Sequence, residues 1–302
     1  MGTVSVEQIT YGGWEDCYRI TDGVVEVVAV ATIGPRLIRL GYCDGPNLFA
    51  EFPEQLGQKN GSEWQIYGGH RLWHSPESKT RTYWPDNRKV EAIVKPNGLV
   101  LKQPTEGNAG IAKEIAIELD PNTHDFTLIH RLTNQGVWPV QFAPWALSVM
   151  QTGGTAIIPQ FRVADPEGLL PNRYLSLWPY TDMNDSRVTW GGRFIMINQD
   201  THQDNPFKIG ISVPEGWAAY LNQGYLLLKR FAYSATDQYP DNGVNVEVYT
   251  NHRFLELETL GGIQTVPSGA TVQHIETWQL NRRIGAIRTE QDVATEILPL
   301  VK

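Results

Sequence analysis

Apolar and polar residues alternate strictly in several stretches of this chain, most clearly in Phe254-Leu255-Glu256-Leu257-Glu258-Thr259. Side chains along a strand point to opposite faces with period two. Leu255 and Leu257 are therefore expected on one face, Glu256 and Glu258 on the other. A second alternating run, Thr271 to Leu280, follows the turn signal Pro267-Ser268-Gly269. In the run 244–249, Asn245 and Glu247 alternate with Val244, Val246 and Val248 and share a polar face. A strand that presents carboxylates on one side is either solvated or lines a polar cleft.

Further strands are predicted over 24–30, 37–41, 89–94, 99–103, 111–119, 126–133, 156–158, 193–197, 208–212, 217–221 and 225–232, each bounded by Gly, Pro, Asn or Asp. Helical pattern is scarce. Only Val293 to Leu298, and a turn or two over Glu7 to Gly12, suit a helix. Many short strands separated by tight turns predict an all-β sandwich or barrel. No linker or composition shift divides the 302 residues, so a single domain over 1–302 is expected.

The net charge of −8 argues against nucleic acid and against an anionic membrane surface, since both require a basic footprint. No run approaches the roughly 18–20 apolar residues of a membrane span. The first residues lack a basic stretch followed by an apolar one, so a cytoplasmic protein is expected. Cys17 and Cys43 are the only cysteines and are expected to be buried thiols.

Candidate chemistry concentrates in Tyr67-Gly68-Gly69-His70-Arg71-Leu72-Trp73-His74-Ser75-Pro76-Glu77, flanked by Trp64 and Trp84. Aromatic rings beside charged donors suit a sugar, whose C–H faces stack while its hydroxyls need directional partners. His70, His74 and Glu77 have a metal-like spacing, but Gly68, Gly69 and Pro76 oppose the helix that would align them. No metal or other cofactor is expected. Trp145 is either an aromatic wall or core. Lys229 follows the apolar run 225–228 and is either a strand-end surface residue or a cleft cation. Asp241 lies in the turn Tyr239-Pro240-Asp241-Asn242-Gly243. No Gly-x-Ser-x-Gly elbow, phosphate loop or dinucleotide fingerprint occurs.

The ending Phe254-Leu-Glu-Leu-Glu-Thr-Leu-Gly, then Pro267-Ser-Gly and His274-Ile-Glu-Thr-Trp278, resembles the galactose mutarotase-like superfamily. Ile33-Gly34-Pro35-Arg36-Leu37, Asn47-Leu48-Phe49 and Tyr67 to Arg71 are similar to its N-terminal strands and sugar-site segment. The resemblance implies a large antiparallel β-supersandwich with a sugar or sugar acid in a cleft on one concave sheet. It implies aldose 1-epimerase-like ring opening with Glu258 as the base. Epimerases carry their acid histidine after a Pro-Val strand. Here Pro139-Val140 leads to Phe142-Ala143-Pro144-Trp145-Ala146, without a histidine. His70 or His74 is then the expected acid, Arg71, Lys229, Asp241, Glu247 and Glu256 the sugar-binding polar groups, and Trp73 or Trp145 the stacking surface. The alternatives are a sugar-binding protein without turnover and a polysaccharide lyase or hydrolase.

Overall fold

The computed structural model describes residues 2–162 and 169–301. Two large antiparallel sheets lie face to face. Across the first sheet the order is β1 (Ser5–Tyr11), β2 (Trp14–Thr21), β3 (Val25–Val30), β4 (Arg36–Tyr42), β5 (Gly69–Ser75), β10 (Val140–Met150), β19 (Leu255–Leu260), β18 (Val246–Thr250), β15 (Phe207–Ile211) and β12 (Leu175–Leu177). The short β20 (Gln264–Val266) adds to the start of β10. Across the second the order is β13 (Val188–Trp190), β14 (Phe194–Asn198), β11 (Thr155–Pro159), β16 (Trp217–Asn222), β17 (Tyr225–Phe231), β21 (Thr271–Arg282), β9 (Phe126–Asn134), β8 (Ile111–Leu119), β7 (Gly98–Lys102) and β6 (Glu91–Lys95).

The predicted alternation decides which face goes inward. Leu255 and Leu257 join Phe207, Ile209, Val246 and Val248 in the apolar layer between the sheets, where Leu128, Leu132 and Trp278 meet them from the second sheet. Each fully buried aliphatic side chain contributes roughly 1.5–3 kcal/mol of transfer free energy, so a one-residue slip of β19 would exchange two leucines for two carboxylates in that layer. Glu256 and Glu258 consequently face outward from the sandwich, on the exterior of the first sheet.

A second apolar cluster covers the outer face of the second sheet. Val293 and Ile297 pack there on Trp217, Leu226 and Leu228. They belong to the helix Glu290–Glu296 and its end, which begins with a capping box between Thr289 and Asp292. Residues 5–11 are strand β1, not the helical turn suggested by the sequence. This edge strand is partly exposed on both sides, so its pattern carries little periodic signal. Among the described residues, no helix is long and apolar enough to cross a membrane. Cys17 is buried, Cys43 is half-buried, and both are free thiols.

Candidate functional site

Strand register builds the site. Arg71 on β5 lies opposite Leu147 on β10, Leu147 opposite Glu258 on β19, and Glu258 opposite Glu247 on β18. One row away, Val149, Glu256, Tyr249 and Lys208 are consecutive partners across β10, β19, β18 and β15. On the other side Trp73 pairs with Trp145. Paired residues in an antiparallel sheet point the same way. These side chains therefore share the outer face of the first sheet.

The Gly68-Gly69 pair sets β5 in place. A Cβ on Gly69 would lie 2.0 Å from the Leu37 carbonyl oxygen, so only glycine lets the strand enter so close to β4. Arg36, fully buried, donates through Nη1 to the Ile66 and Gly68 carbonyls and is held by Asp86 at 3.1 Å. The chain reaches Arg71 from an anchored start.

Arg71 donates to Glu256 Oε1 at 2.8 Å and stacks on Trp73, its guanidinium carbon 4.3 Å from the ring centroid. Its Nε and Nη1 are buried without partners. Trp64, Trp73 and Tyr83 contact one another with ring centroids 5.3–5.4 Å apart. Lys208 Nζ lies 2.7 Å from Glu247 Oε2, off the line of a hydrogen bond, and donates to Glu258 Oε2 at 3.2 Å. It is also flanked by the rings of Trp145 and Trp178, at 4.8 and 4.7 Å. The Trp145 indole donates to Glu258 Oε2 at 2.8 Å, leaving Glu258 Oε1 buried with no partner.

The resulting cleft has two lobes. One, of about 250 Å³, is lined by Trp64, Arg71, Trp73, Tyr83, Tyr180 and Glu256. The other, of about 300 Å³, is lined by Trp178, Asp241 and Glu247. Trp145 and Glu77 border both. Burial pushes the pKa of Glu258 up against the pull of Lys208, and Glu256 adds to the rise. Burial pushes Glu247 well above the carboxylate range; Lys208 opposes it and Glu258 and Asp241 reinforce it. Burial disfavours the Lys208 ammonium, but Glu258 and Glu247 outweigh that and keep it charged.

The cleft thus brings together Arg71, Trp73, Trp145, Asp241, Glu247 and Glu256 from the sequence-based set, with Glu258 buried directly behind Trp145 and Lys208. It does not bring His70, His74 or Lys229 to them. Because Arg71 and Trp73 face the cleft, His70 and His74 on the same strand face the inter-sheet layer. The expectation of an imidazole acid beside Glu258 is corrected by this period-two geometry. His74 packs on Phe142, and burial lowers its pKa to about 3. Lys229 stands on the second sheet, fully buried, and donates to Glu276 Oε1 at 3.1 Å and to the Leu257 carbonyl at 3.3 Å. The lysine that lines the cleft is instead Lys208.

His70 belongs to a buried polar chain that crosses the inter-sheet layer. His130 Nδ1 donates to the His274 carbonyl at 3.1 Å, so its Nε2 accepts from His70 Nε2 at 2.7 Å, and His70 Nδ1 accepts from the Ser148 hydroxyl at 2.8 Å. Both imidazoles are neutral in this arrangement, and burial lowers the pKa of each. Glu276 accepts from Thr259, Lys229 and Trp278. Burial would raise its pKa, but the Lys229 ammonium holds it well below the carboxylate range. Ligand atoms of His70, His130 and Glu276 lie within 4.8 Å of one another, close enough for a metal ion. Each already has a hydrogen-bond partner, and the Lys229 ammonium beside Glu276 opposes a second cation there.

Lys208, Trp178, Tyr83 and Tyr180 were not singled out from the sequence as site residues. Lys208 is the second residue of a strand whose Phe207, Ile209 and Ile211 are core. Its alternation was a usable signal, but the pattern alone does not distinguish a rim lysine from a cleft lysine.

No family model matches the chain, and no curated protein matches it. Solved structures do. A candidate aldose 1-epimerase of Klebsiella pneumoniae subsp. pneumoniae superposes with a TM-score of 0.61 at 15% identity, over 98% of this chain and 86% of its own. The chain has the galactose mutarotase-like fold. A galactose mutarotase-like protein from Clostridium acetobutylicum matches with a TM-score of 0.57 at 10% identity, over 93% of this chain and 99% of its own. Another from Lactobacillus casei ATCC 334 gives 0.56 at 9% identity, over 87% and 99%. In this galactose mutarotase-like sandwich, the Glu256–Glu258 strand lies in the sheet that carries the cleft.

Proposed function

We propose that the cleft binds one aldose ring and interconverts its anomers, with Glu258 taking the proton of the anomeric hydroxyl. The observation that carries this reading is the Glu258 carboxylate. It lies buried beneath Trp145, the wall shared by both lobes of the cleft, with Oε2 fixed by Trp145 and Lys208 and Oε1 without a partner. Burial and Glu256 raise its pKa, which makes it a better base than a solvated carboxylate. Trp73 and Trp145 supply stacking faces for the C–H side of the ring, and Arg71, Asp241 and Glu256 supply hydroxyl partners. Glu77, Asp241, Glu247, Glu256 and Glu258 outnumber Arg71, Lys208 and Lys79 around the cleft. An uncharged sugar therefore meets less repulsion than a sugar acid.

Sugar binding without turnover is the second reading. The Trp145 indole bond favours it, because that ring covers the carboxylate it donates to. Anomer exchange by NMR separates the two, using a panel of aldohexoses and aldopentoses with wild type and Glu258→Gln. Catalysis predicts exchange faster with wild type than with the variant by about 100-fold or more. Equal exchange rates with saturable binding to both proteins would establish the binding-only reading.

A further inference from the structure

We infer that Glu247 and Glu258 form a single-proton carboxyl pair, in which Glu247 holds the proton at neutral pH and serves as the acid missing from the cleft's histidine complement. The inference rests on the epimerase reading above and extends it to a second catalytic group.

The geometry begins with register. Glu247 and Glu258 are direct cross-strand partners on β18 and β19, and both are fully buried. Side chains so paired start from Cβ atoms about 4.5–5.5 Å apart. Glu247 Oε2 and Glu258 Oε2 lie 2.7 and 3.2 Å from the same Lys208 Nζ, so the two carboxyl groups converge on one ammonium. Neither oxygen of Glu247 makes an aligned hydrogen bond, and Glu258 Oε1 makes none. Two ionised carboxylates would leave three buried acceptor oxygens without donors, facing each other across one cation. A single proton removes most of that mismatch: protonated Glu247 donates to Glu258, and Glu258 keeps the indole and the ammonium.

The surroundings choose which of the two is protonated. Around the pair stand Lys208 from β15, Glu256 from β19 and Asp241 from the 240–243 turn. Glu258 has two donors of its own, Trp145 and Lys208, both stabilising its ionised form. Glu247 has only the off-line ammonium contact and faces Asp241. The proton belongs on Glu247, whose oxygens have no aligned donor, rather than on Glu258, which has two. Glu247 also lines the Trp178 lobe of the cleft, where it can reach a bound ring from beside the base.

The chemistry balances without a co-reactant. Glu258 removes the anomeric hydroxyl proton as the C1–ring oxygen bond breaks, and Glu247 delivers its proton to the ring oxygen. Rotation about C1–C2 and return of both protons closes the other anomer and restores the pair.

Infrared spectroscopy of the protein at neutral pH reads the shared proton directly, through the carboxylic C=O stretch and its shift in D₂O. Wild type is expected to show a protonated carboxyl that is lost in Glu247→Gln and equally lost in Glu258→Gln, because the remaining carboxylate in each variant pairs with Lys208. Glu247→Gln is also expected to slow anomer exchange by about 100-fold or more while sugar still binds. Should a glutamine variant not fold, Glu247→Asp and Glu258→Asp keep the charge and must each shift the band. Absence of a band assignable to the pair overturns the inference, as does undiminished exchange in Glu247→Gln. A wild type that shows the band but exchanges no sugar overturns the epimerase reading and the acid role, and leaves only the shared proton.

Discussion

Replacing Lys229 with Met should be among the most damaging single changes in this protein, although the residue lies outside the cleft. Lys229 and Glu276 are both fully buried and 3.1 Å apart. Methionine fills similar volume but leaves Glu276 as a charge without its counterion. Breaking a buried pair from one side typically costs about 3–5 kcal/mol. Thr259 and Trp278 would still donate to the Glu276 carboxylate, so the lower end, about 3 kcal/mol, is expected. Urea unfolding at pH 7, followed by tryptophan fluorescence, measures it. The pH dependence adds a second check. In the wild type the Glu276 pKa lies below its unfolded value, so its contribution is present above the unfolded pKa and lost as pH falls through the folded one. Without the ammonium, burial dominates and raises that pKa. The deficit of the variant relative to wild type should then shrink as pH is lowered toward the ordinary glutamate range. Adding Glu276→Gln to Lys229→Met removes the orphaned charge and should recover most of the loss. A cost below about 1 kcal/mol at pH 7, typical of a solvent-exposed pair, would refute the reasoning.

Arg71→Ala should weaken sugar binding by about tenfold or more, the worth of a charged hydrogen bond, because it removes the partner of Glu256 and the cation stacked on Trp73; calorimetric titration reads the change. Acid should destabilise the fold through its neutral imidazoles. Burial lowers His274 to about 4 and His74 to about 3, against an ordinary value of 6.5, so their contribution is complete above 6.5 and is lost as pH falls toward those values. The urea midpoint at pH 5 should lie below that at pH 7, and Asn in place of His74 should flatten the dependence. Burial pushes the Cys17 thiol up to about 12, so thiol titration of the native protein should report Cys43 alone, with Cys17 appearing on unfolding.

The outer face of β19 was legible because residue type alternates there: Leu255 and Leu257 join the inter-sheet core and the glutamates point the other way, although all six residues of the strand are buried. Strand β10 was harder. Its residues from Phe142 to Met150 are buried on both faces, so the polar half of the alternation is missing, and Pro144 interrupts the run. The structure admits that proline in mid-strand, opposite His74, with its carbonyl accepting from Gly261. The two lysines show a further limit. Lys208 and Lys229 each sit among strand leucines, isoleucines or phenylalanines, and a single strand's pattern does not reveal which of its faces will meet the other sheet. The sequence reading therefore assigned Lys229 to the cleft and passed over Lys208. The same ambiguity put His70 and His74 beside Glu258, when period two and the position of Arg71 require them on the opposite side.

The buried chain from Ser148 through His70 and His130 to the His274 carbonyl has a consequence for how the halves of the sandwich stay aligned. Contacts among leucines and valines are non-directional and would tolerate one sheet gliding over the other by a fraction of a residue. A 2.7 Å bond between two imidazoles, together with the Thr259 hydroxyl reaching both His274 and Glu276, does not. These bonds act as a dowel between the layers. Thr259 is the immediate neighbour of Glu258, so the pin that stops lateral glide also fixes where the Glu258 carboxylate stands relative to the opposite sheet. Loosening the apolar layer lowers stability, whereas shearing the pin would displace the carboxylate that Trp145 and Lys208 hold behind the cleft.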